Sequence, residues 1–162
     1  MKLSTDQALS FTIAVRNAAR DDVRVAIANV YHALQDAIDL RRPVCSSSGR
    51  CCRFEEYGHR LFVTTMEMAA FLSQSNRSLD PPGWNGIGCP FQLNGLCDVH
   101  PIRPFGCRIF FCDETSTAWQ AEQYERLHRE LKRLHDDLNV PYFYVEWRDA
   151  LAALALDNPS LA

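Results

Sequence analysis

Seven cysteines lie close together in the middle of this 162-residue chain. All of them fall between positions 45 and 112, and the segments before and after contain none. Cysteines used as small core residues would be scattered over the whole chain, so the clustering indicates that they share one chemical role. Thiolates are preferred ligands of soft metal ions. The candidate ligands are Cys45, Cys51, Cys52, Cys89, Cys97, Cys107 and Cys112.

Two other uses of cysteine fit the pattern less well. Structural disulfides are disfavoured by the odd number of cysteines and by the adjacent pair Cys51-Cys52. Buried free thiols do not explain the clustering. Residues 75–112 are rich in proline and glycine and predict mostly loop, and a loop of that length needs support inside a compact domain. Metal ligation explains the clustering and that support together.

The spacing of the cysteines bears on the kind of metal. Zinc sites of four ligands draw on pairs of ligands that are close in sequence, such as C-x2-C. The spacings here are C-x5-C-C, C-x7-C, C-x9-C and C-x4-C, and seven thiols exceed one tetrahedral site. Cys89 is followed by Pro90, as in ferredoxin-type cysteine runs. The pattern favours an iron–sulfur cluster or another iron centre, with zinc as the alternative.

Four arginines flank the cysteines. A centre held by several thiolates is anionic, and guanidinium groups near it would offset that charge. We expect Arg103 and Arg108 to take this position beside the metal. For Arg50 and Arg53, surface ion pairs explain the residues equally well. His100 stands between Cys97 and Cys107, but with seven thiols available it is a weaker candidate ligand.

Three blocks of this sequence resemble a known family. They are C-S-S-S-G-R-C-C from Cys45, C-P-F from Cys89 with the later Cys97, and R-P-F-G-C-R from Arg103. Together they are similar to the YkgJ-type cysteine-cluster family, described as zinc- or iron-chelating, whose blocks are typically C-x2-C-x2-C-C and R-P-x2-C-R. The resemblance implies metal chelation and no particular activity. The chain departs from the pattern at Ser48, so that the site lacks one ligand of the family, Cys112 replaces that ligand, or the ligand is not required.

The flanking segments predict a mainly α fold, with helices packed around a loop-rich metal centre and one short two-stranded pairing. Helical periodicity covers residues 5–40, with a break near positions 20–22, and continues after the cysteines over 115–138 and 147–156. Residues 61–63 and 142–145 predict short strands, and Thr64 with Glu67 predicts a capping box for a helix ending near position 74. We expect one domain, 1–162, composed of a helical segment 1–42, a metal-binding core 43–113 and helices over 114–162.

Composition narrows the functional classes. A net charge of −3 and a pI near 5.9 give no broad basic surface for nucleic acid or anionic lipid. No segment predicts a secretory signal or a membrane span, so we expect a cytoplasmic protein. The leading expectation is an iron–sulfur or iron protein that acts in redox chemistry or metal handling. The alternatives are a structural zinc module that binds a protein partner, and an enzyme with a catalytic metal.

Overall fold

The computed structural model describes residues 3–157 and confirms a mainly α fold. Helices form the frame, and two small antiparallel sheets connect parts of it. No helix within 3–157 is long and apolar enough to cross a membrane. The helices are α1 (Thr5–Asn17), α2 (Asp21–Arg41), α3 (Phe54–Tyr57), α4 (Thr65–Gln74), α5 (Phe105–Ile109), α6 (Thr117–Asp137) and α7 (Trp147–Asp157).

The predicted break in the N-terminal helical segment is confirmed. Helix α1 begins at a capping box, in which the Ser4 hydroxyl accepts from the Gln7 amide and the Gln7 side chain accepts from the Ser4 amide. Helix α1 ends at Asn17, Arg20 is extended as the N-cap residue of α2, and the acidic residues Asp21 and Asp22 begin α2. Carboxylates are favourable at a helix N-terminus, so this polar triplet starts the second helix.

Two short sheets connect distant parts of the chain. Strand β1 (Phe62–Thr64) pairs with β4 (Tyr144–Glu146), and each strand runs directly into a helix, α4 or α7. The predicted strands and the Thr64–Glu67 capping box at the start of α4 are confirmed. Strands β2 (Gln92–Leu93) and β3 (Leu96–Cys97) form a hairpin inside the cysteine-rich segment. The sequence predicted one strand pairing, and the described residues contain two.

The core lies between the long helices. Helix α2 packs against α4 and α6, and α1 packs against α4 and α7. Ile27, Leu34, Leu127 and Leu131 bury the facing stripes of α2 and α6 and are at most 1% exposed. Trp147 at the start of α7 is equally buried and packs against the rings of Phe71 and Phe91. The C-terminal helices therefore rest against the segment that carries Cys89.

The cysteine-rich segment is mostly irregular, as predicted, but it has more regular structure than its sequence indicated. A 3₁₀ turn over Arg50–Cys52, helix α3, the β2–β3 hairpin and helix α5 were not predicted. Elements of two to five residues are too short to produce a hydrophobic period, which explains why they were missed. Large side chains such as Phe54, Phe91 and Phe105 anchor the segment in the core at intervals.

Candidate metal centre

All seven cysteines line a single cavity of about 120 Å³. The residues come from the first cysteine loop, the β2–β3 hairpin, helix α5 and the segment after it, which the fold gathers around one space. Cys52 and Cys89 are buried, Cys45 is exposed, and the other four are half-buried. The tertiary structure thus brings together every cysteine that the sequence proposed as a ligand.

The first cysteine loop is held by close backbone packing. Gly49 precedes the 3₁₀ turn of Cys51 and Cys52 with φ +69°, and a Cβ there would collide with the Gly95 carbonyl. The side-chain amide of Gln92 donates to the carbonyl oxygens of Gly49 (3.1 Å) and Gly95 (3.2 Å). Only glycine combines this backbone angle with so close an approach. Gln92 therefore fixes the loop against the hairpin that carries Cys97.

Cys89 is joined directly to the first loop. Its amide donates to the Cys52 carbonyl oxygen over 2.8 Å. The preceding Gly88 has φ +66°, and a Cβ on it would lie 2.7 Å from the same oxygen. The Gly88 amide donates to the carboxylate of Glu55 in α3 (2.8 Å). These bonds hold Cys89 beside Cys52 although the two residues are far apart in the chain.

Cys45 and Cys112 occupy the outer part of the cavity. The Ser48 hydroxyl and the Cys112 thiol are hydrogen-bonded at 3.5 Å, although the residues are 64 positions apart. The Asp113 carboxylate accepts from the Val44 amide over 3.2 Å, which ties the two segments together beside Cys45. Cys112 therefore stands next to the position at which the resembled family carries its additional cysteine.

The inner thiols interact strongly with one another. Contact with the Cys52 thiol is the main cause that lowers the pKa of Cys51 to about 6 and that of Cys97 to about 7. It also lowers the pKa of Cys89, whereas the pKa of Cys52 itself is raised, mainly by Cys51. The charge of Arg103 lowers the pKa of Cys51 and Cys97 further. Metal-binding thiolates are thus accessible near neutral pH.

Cys107 differs from these thiols in the direction of its pKa shift. Burial is the main cause that raises its pKa, and the neighbouring thiols Cys89, Cys51 and Cys97 raise it further. A thiol in such surroundings gives up its proton readily only when a cation is present to compensate for the buried charge. The cavity therefore includes one thiol, that of Cys107, whose ionisation requires a positive partner.

Two buried N–H groups beside the cavity lack an oxygen or nitrogen acceptor. They are Nε of Arg103 and Nε1 of Trp147, and both residues line the cavity. The Trp147 side chain instead interacts with the Cys89 thiol. Buried N–H groups are nearly always hydrogen-bonded. N–H donors beside a group of thiols suit a thiolate centre, because hydrogen bonds to sulfur help to stabilise iron–sulfur clusters and other metal–thiolate sites.

The arginines are placed differently from what the sequence suggested. Arg103 lines the cavity as expected, and so does Arg50, whose charge lies near Cys112. Arg108 does not line it. Its guanidinium donates to the carbonyls of Arg103 (2.8 Å) and Pro101 (2.6 Å) and lies 4.3 Å over the Tyr31 ring. Arg108 thus supports the backbone of Arg103, because its helix turns it towards α2.

A second cavity of about 250 Å³ adjoins the first. The two cavities share Cys51, Cys107 and Phe110 in their walls. His59 lies in the second cavity, stacked on Phe110 with ring centroids 5.1 Å apart, whereas His100 lines the first. Phe110, Cys51 and Cys107 thus lie between the cysteine cavity and a second, largely apolar space.

The thiols are gathered but are not arranged as a finished coordination sphere. Within residues 3–157, no three His, Cys, Asp or Glu side chains stand in a geometry that could hold a metal ion. Tetrahedral zinc–thiolate bonds of about 2.3 Å require sulfurs roughly 3.8 Å apart on all sides. Each cysteine has one side-chain torsion with three staggered positions. Rotation about these torsions would move the sulfurs within the shared cavity.

In comparisons with protein-family models, with curated proteins and with solved structures, nothing matches this chain. The likeness to the YkgJ-type blocks thus stays a prediction. Two contributors to the site were missed by sequence reasoning. Trp147 and Gln92 were not among the site residues that the sequence proposed. The signal for Trp147 was present, since a tryptophan at the start of an apolar helix has an indole N–H that needs a partner.

Proposed function

We propose that this protein holds a metal centre through its cysteine thiolates, and that the centre is an iron–sulfur cluster or another iron site. The convergence of all seven cysteines on one cavity carries the proposal. Its role is in redox chemistry or in metal handling. Cys51, Cys52, Cys89, Cys97 and Cys107 form the inner ligand set, and Cys45 and Cys112 form the outer one.

The structure favours iron over a single zinc ion in two respects. Five of the thiols in the cavity, the inner ligand set, interact with one another, and they are one more than a tetrahedral zinc ion takes. Arg103 and Trp147 bring buried N–H groups without oxygen or nitrogen acceptors, which suit the inorganic and cysteinyl sulfurs of a cluster. A structural zinc site that supports a protein partner is the alternative, with four of the same thiols as ligands.

A catalytic role has one observation in its favour. The second cavity shares Cys51 and Cys107 with the cysteine cavity, so a small molecule bound there would lie close to the metal. Concave, largely apolar spaces of this kind are where proteins bind small ligands. A change in the spectrum of the metal centre on filling this cavity with an Ala121→Phe substitution would support catalysis, and an unchanged spectrum would count against it.

Elemental analysis of protein purified without oxygen tests the proposal. Iron with acid-labile sulfide and a brown colour is the expected result, whereas zinc in colourless protein would establish the alternative. Cys45→Ser and Cys107→Ser should each lower the metal content sharply. Met68→Leu is the matched control, since it changes a fully buried sulfur outside the cavity. Protein without metal, or both cysteine variants with full metal, would refute the proposal.

A further inference from the structure

One buried acidic side chain outside the cysteine cavity is connected to the segment that carries Cys107. Glu67 lies in the first turn of α4 within an apolar run and is only 1% exposed. Carboxylates are rarely buried to this degree unless every oxygen is satisfied. The sequence explained Glu67 by the capping box with Thr64 alone, which uses only one of its two oxygens.

The capping oxygen of Glu67 is Oε2. It accepts from the Thr64 amide over 3.0 Å and from the Thr64 hydroxyl over 3.1 Å. The other oxygen, Oε1, accepts from the Tyr31 hydroxyl of α2 over 3.2 Å and from the Phe105 amide over 3.0 Å. Burial raises the pKa of Glu67, while these four donors act to lower it. One carboxylate therefore joins α4, α2 and the first residue of α5.

The Phe105 amide is an important point of attachment. It belongs to the first turn of α5, where backbone N–H groups have no partner inside the helix. Cys107 follows two residues later, and Arg103, whose Nε lies unpaired beside the cavity, precedes it by two. Tyr31 holds the same segment from the other side, since the Arg108 guanidinium lies over its ring. The position of α5 thus depends on contacts made through Glu67 and Tyr31.

We propose that Glu67 is a positioning residue of the metal centre, which holds the Arg103–Cys107 segment so that Cys107 and Arg103 face the cavity. This inference rests on the proposed function. Residues that orient ligands through hydrogen bonds contribute about 10- to 100-fold to metal affinity. A residue that only caps α4 would contribute to folding and leave metal affinity unchanged.

The decisive comparison is between Glu67→Met and Thr64→Val. Glu67→Met removes both acceptor oxygens and leaves the Phe105 amide unpaired. Thr64→Val removes the capping hydroxyl at the same buried site but leaves the carboxylate on Phe105. Metal-free proteins are titrated anaerobically with the ion found in the purified protein, ferrous iron or zinc, against a competing chelator. Glu67→Met is expected to weaken binding by about 10- to 100-fold, and Thr64→Val to leave the affinity unchanged.

Thermal unfolding provides the second readout. Bound metal raises the unfolding midpoint of the wild-type protein, and this rise should shrink in Glu67→Met but persist in Thr64→Val. Equal affinities in wild type and Glu67→Met, or an equal loss in Thr64→Val, would overturn the inference. If Glu67→Met does not fold, Glu67→Gln is measured instead. Its metal affinity is expected to be about 10-fold lower than that of the wild type. Wild-type affinity in Glu67→Gln would overturn the inference. A wild-type protein that binds no metal would instead refute the proposed function.

Discussion

The helical frame, which consists of helices α1, α2, α4, α6 and α7, is stabilised in a different way from the cysteine-rich segment. In the frame, long amphipathic helices bury continuous apolar stripes, and residues such as Leu34 and Leu131 have no exposed surface. In residues 43–113 outside β1 and α4, elements of two to five residues are joined by single hydrogen bonds, glycines at positive φ and a few aromatic anchors. The helical frame is therefore stabilised by its own apolar core, whereas the irregular part of the segment surrounds a group of thiols.

The two regions meet at a few defined points. Trp147 begins a frame helix and also borders the cysteine cavity. Glu67 lies in the first turn of another, α4, and accepts from the Phe105 amide. The frame thus borders the cavity directly at Trp147 and reaches it indirectly through Phe105, and other walls come from the loop that carries Cys45 and the hairpin that carries Cys97. Perturbations of the frame and of the segment should have different consequences, and four experiments examine this.

Metal removal is expected to have the largest effect and to act on the segment alone. Binding free energy becomes folding free energy where ligands are not held in place beforehand, and for structural zinc it reaches about 10 kcal/mol or more. After chelation, trypsin should cleave after Arg77 and Arg108 well before it cleaves after Lys132 or Arg133 in α6. Mass spectrometry of a digestion time course measures the order. Equal protection of the segment with and without metal would mean that ordinary packing organises it.

Removing a buried side chain from the helical frame should lower stability whether or not metal is bound. Leu131→Ala removes a fully buried side chain from the contact between α6 and α2 and should lower the free energy of unfolding by about 2–5 kcal/mol. The loss should be the same in metal-loaded and metal-free protein, as measured by urea denaturation. Leu40→Ala, at a side chain that is 89% exposed, is the matched control and should cost little. A loss confined to the metal-loaded form would show that the two regions are coupled.

The outer part of the cavity allows a test of whether Cys112 is a ligand of the metal centre. The contact between Ser48 and Cys112 predicts that a thiol at either position reaches the same edge of the metal centre. Cys112→Ala should lose or alter the metal, and Ser48→Cys in the same protein should partly restore it. Metal stoichiometry and the visible spectrum measure both steps. If Cys112 is only a half-buried thiol, Cys112→Ala keeps its metal and loses roughly 1 kcal/mol of stability.

The smallest effect concerns pH and belongs to the frame. His135 is 1% exposed; its Nδ1–H donates to the Leu131 carbonyl (2.8 Å), and Nε2 accepts from the Met66 amide (3.4 Å). Burial is the main cause that lowers the pKa of His135. In addition, a proton on Nε2 would face the N–H donor of Met66. Above a pH of about 6.5 the folded and unfolded proteins are both neutral at this side chain.

As the pH falls below that value, the unfolded chain takes up a proton more readily than the folded one, so stability is lost by at most about 1.4 kcal/mol per pH unit. Urea denaturation of metal-free protein at pH 7.5 and 5.5 should show this loss, and His135→Gln should show less of it. An identical pH dependence in the variant would assign the loss to other groups.

Sequence reasoning succeeded where the signal was local. The start of α4 followed from the Thr64–Glu67 capping box, and the break before α2 from a polar triplet in a helical pattern. It failed where elements were too short to have a period, as in α5 and the β2–β3 hairpin. It also could not tell that Arg108 lies against α2 and outside the cavity wall, because the side of a short helix that faces a cavity depends on how that helix is docked.

The sequence by itself determined the helical class of the fold and the group of cysteines that could act together, because periodicity, capping and clustering are properties of neighbouring residues. Only the tertiary structure decided which side chains surround the cavity. The pairing of Ser48 with Cys112 and the bond from the Phe105 amide to Glu67 join residues 64 and 38 positions apart. Such contacts depend on the packing of the whole frame, and no spacing within the segment encodes them.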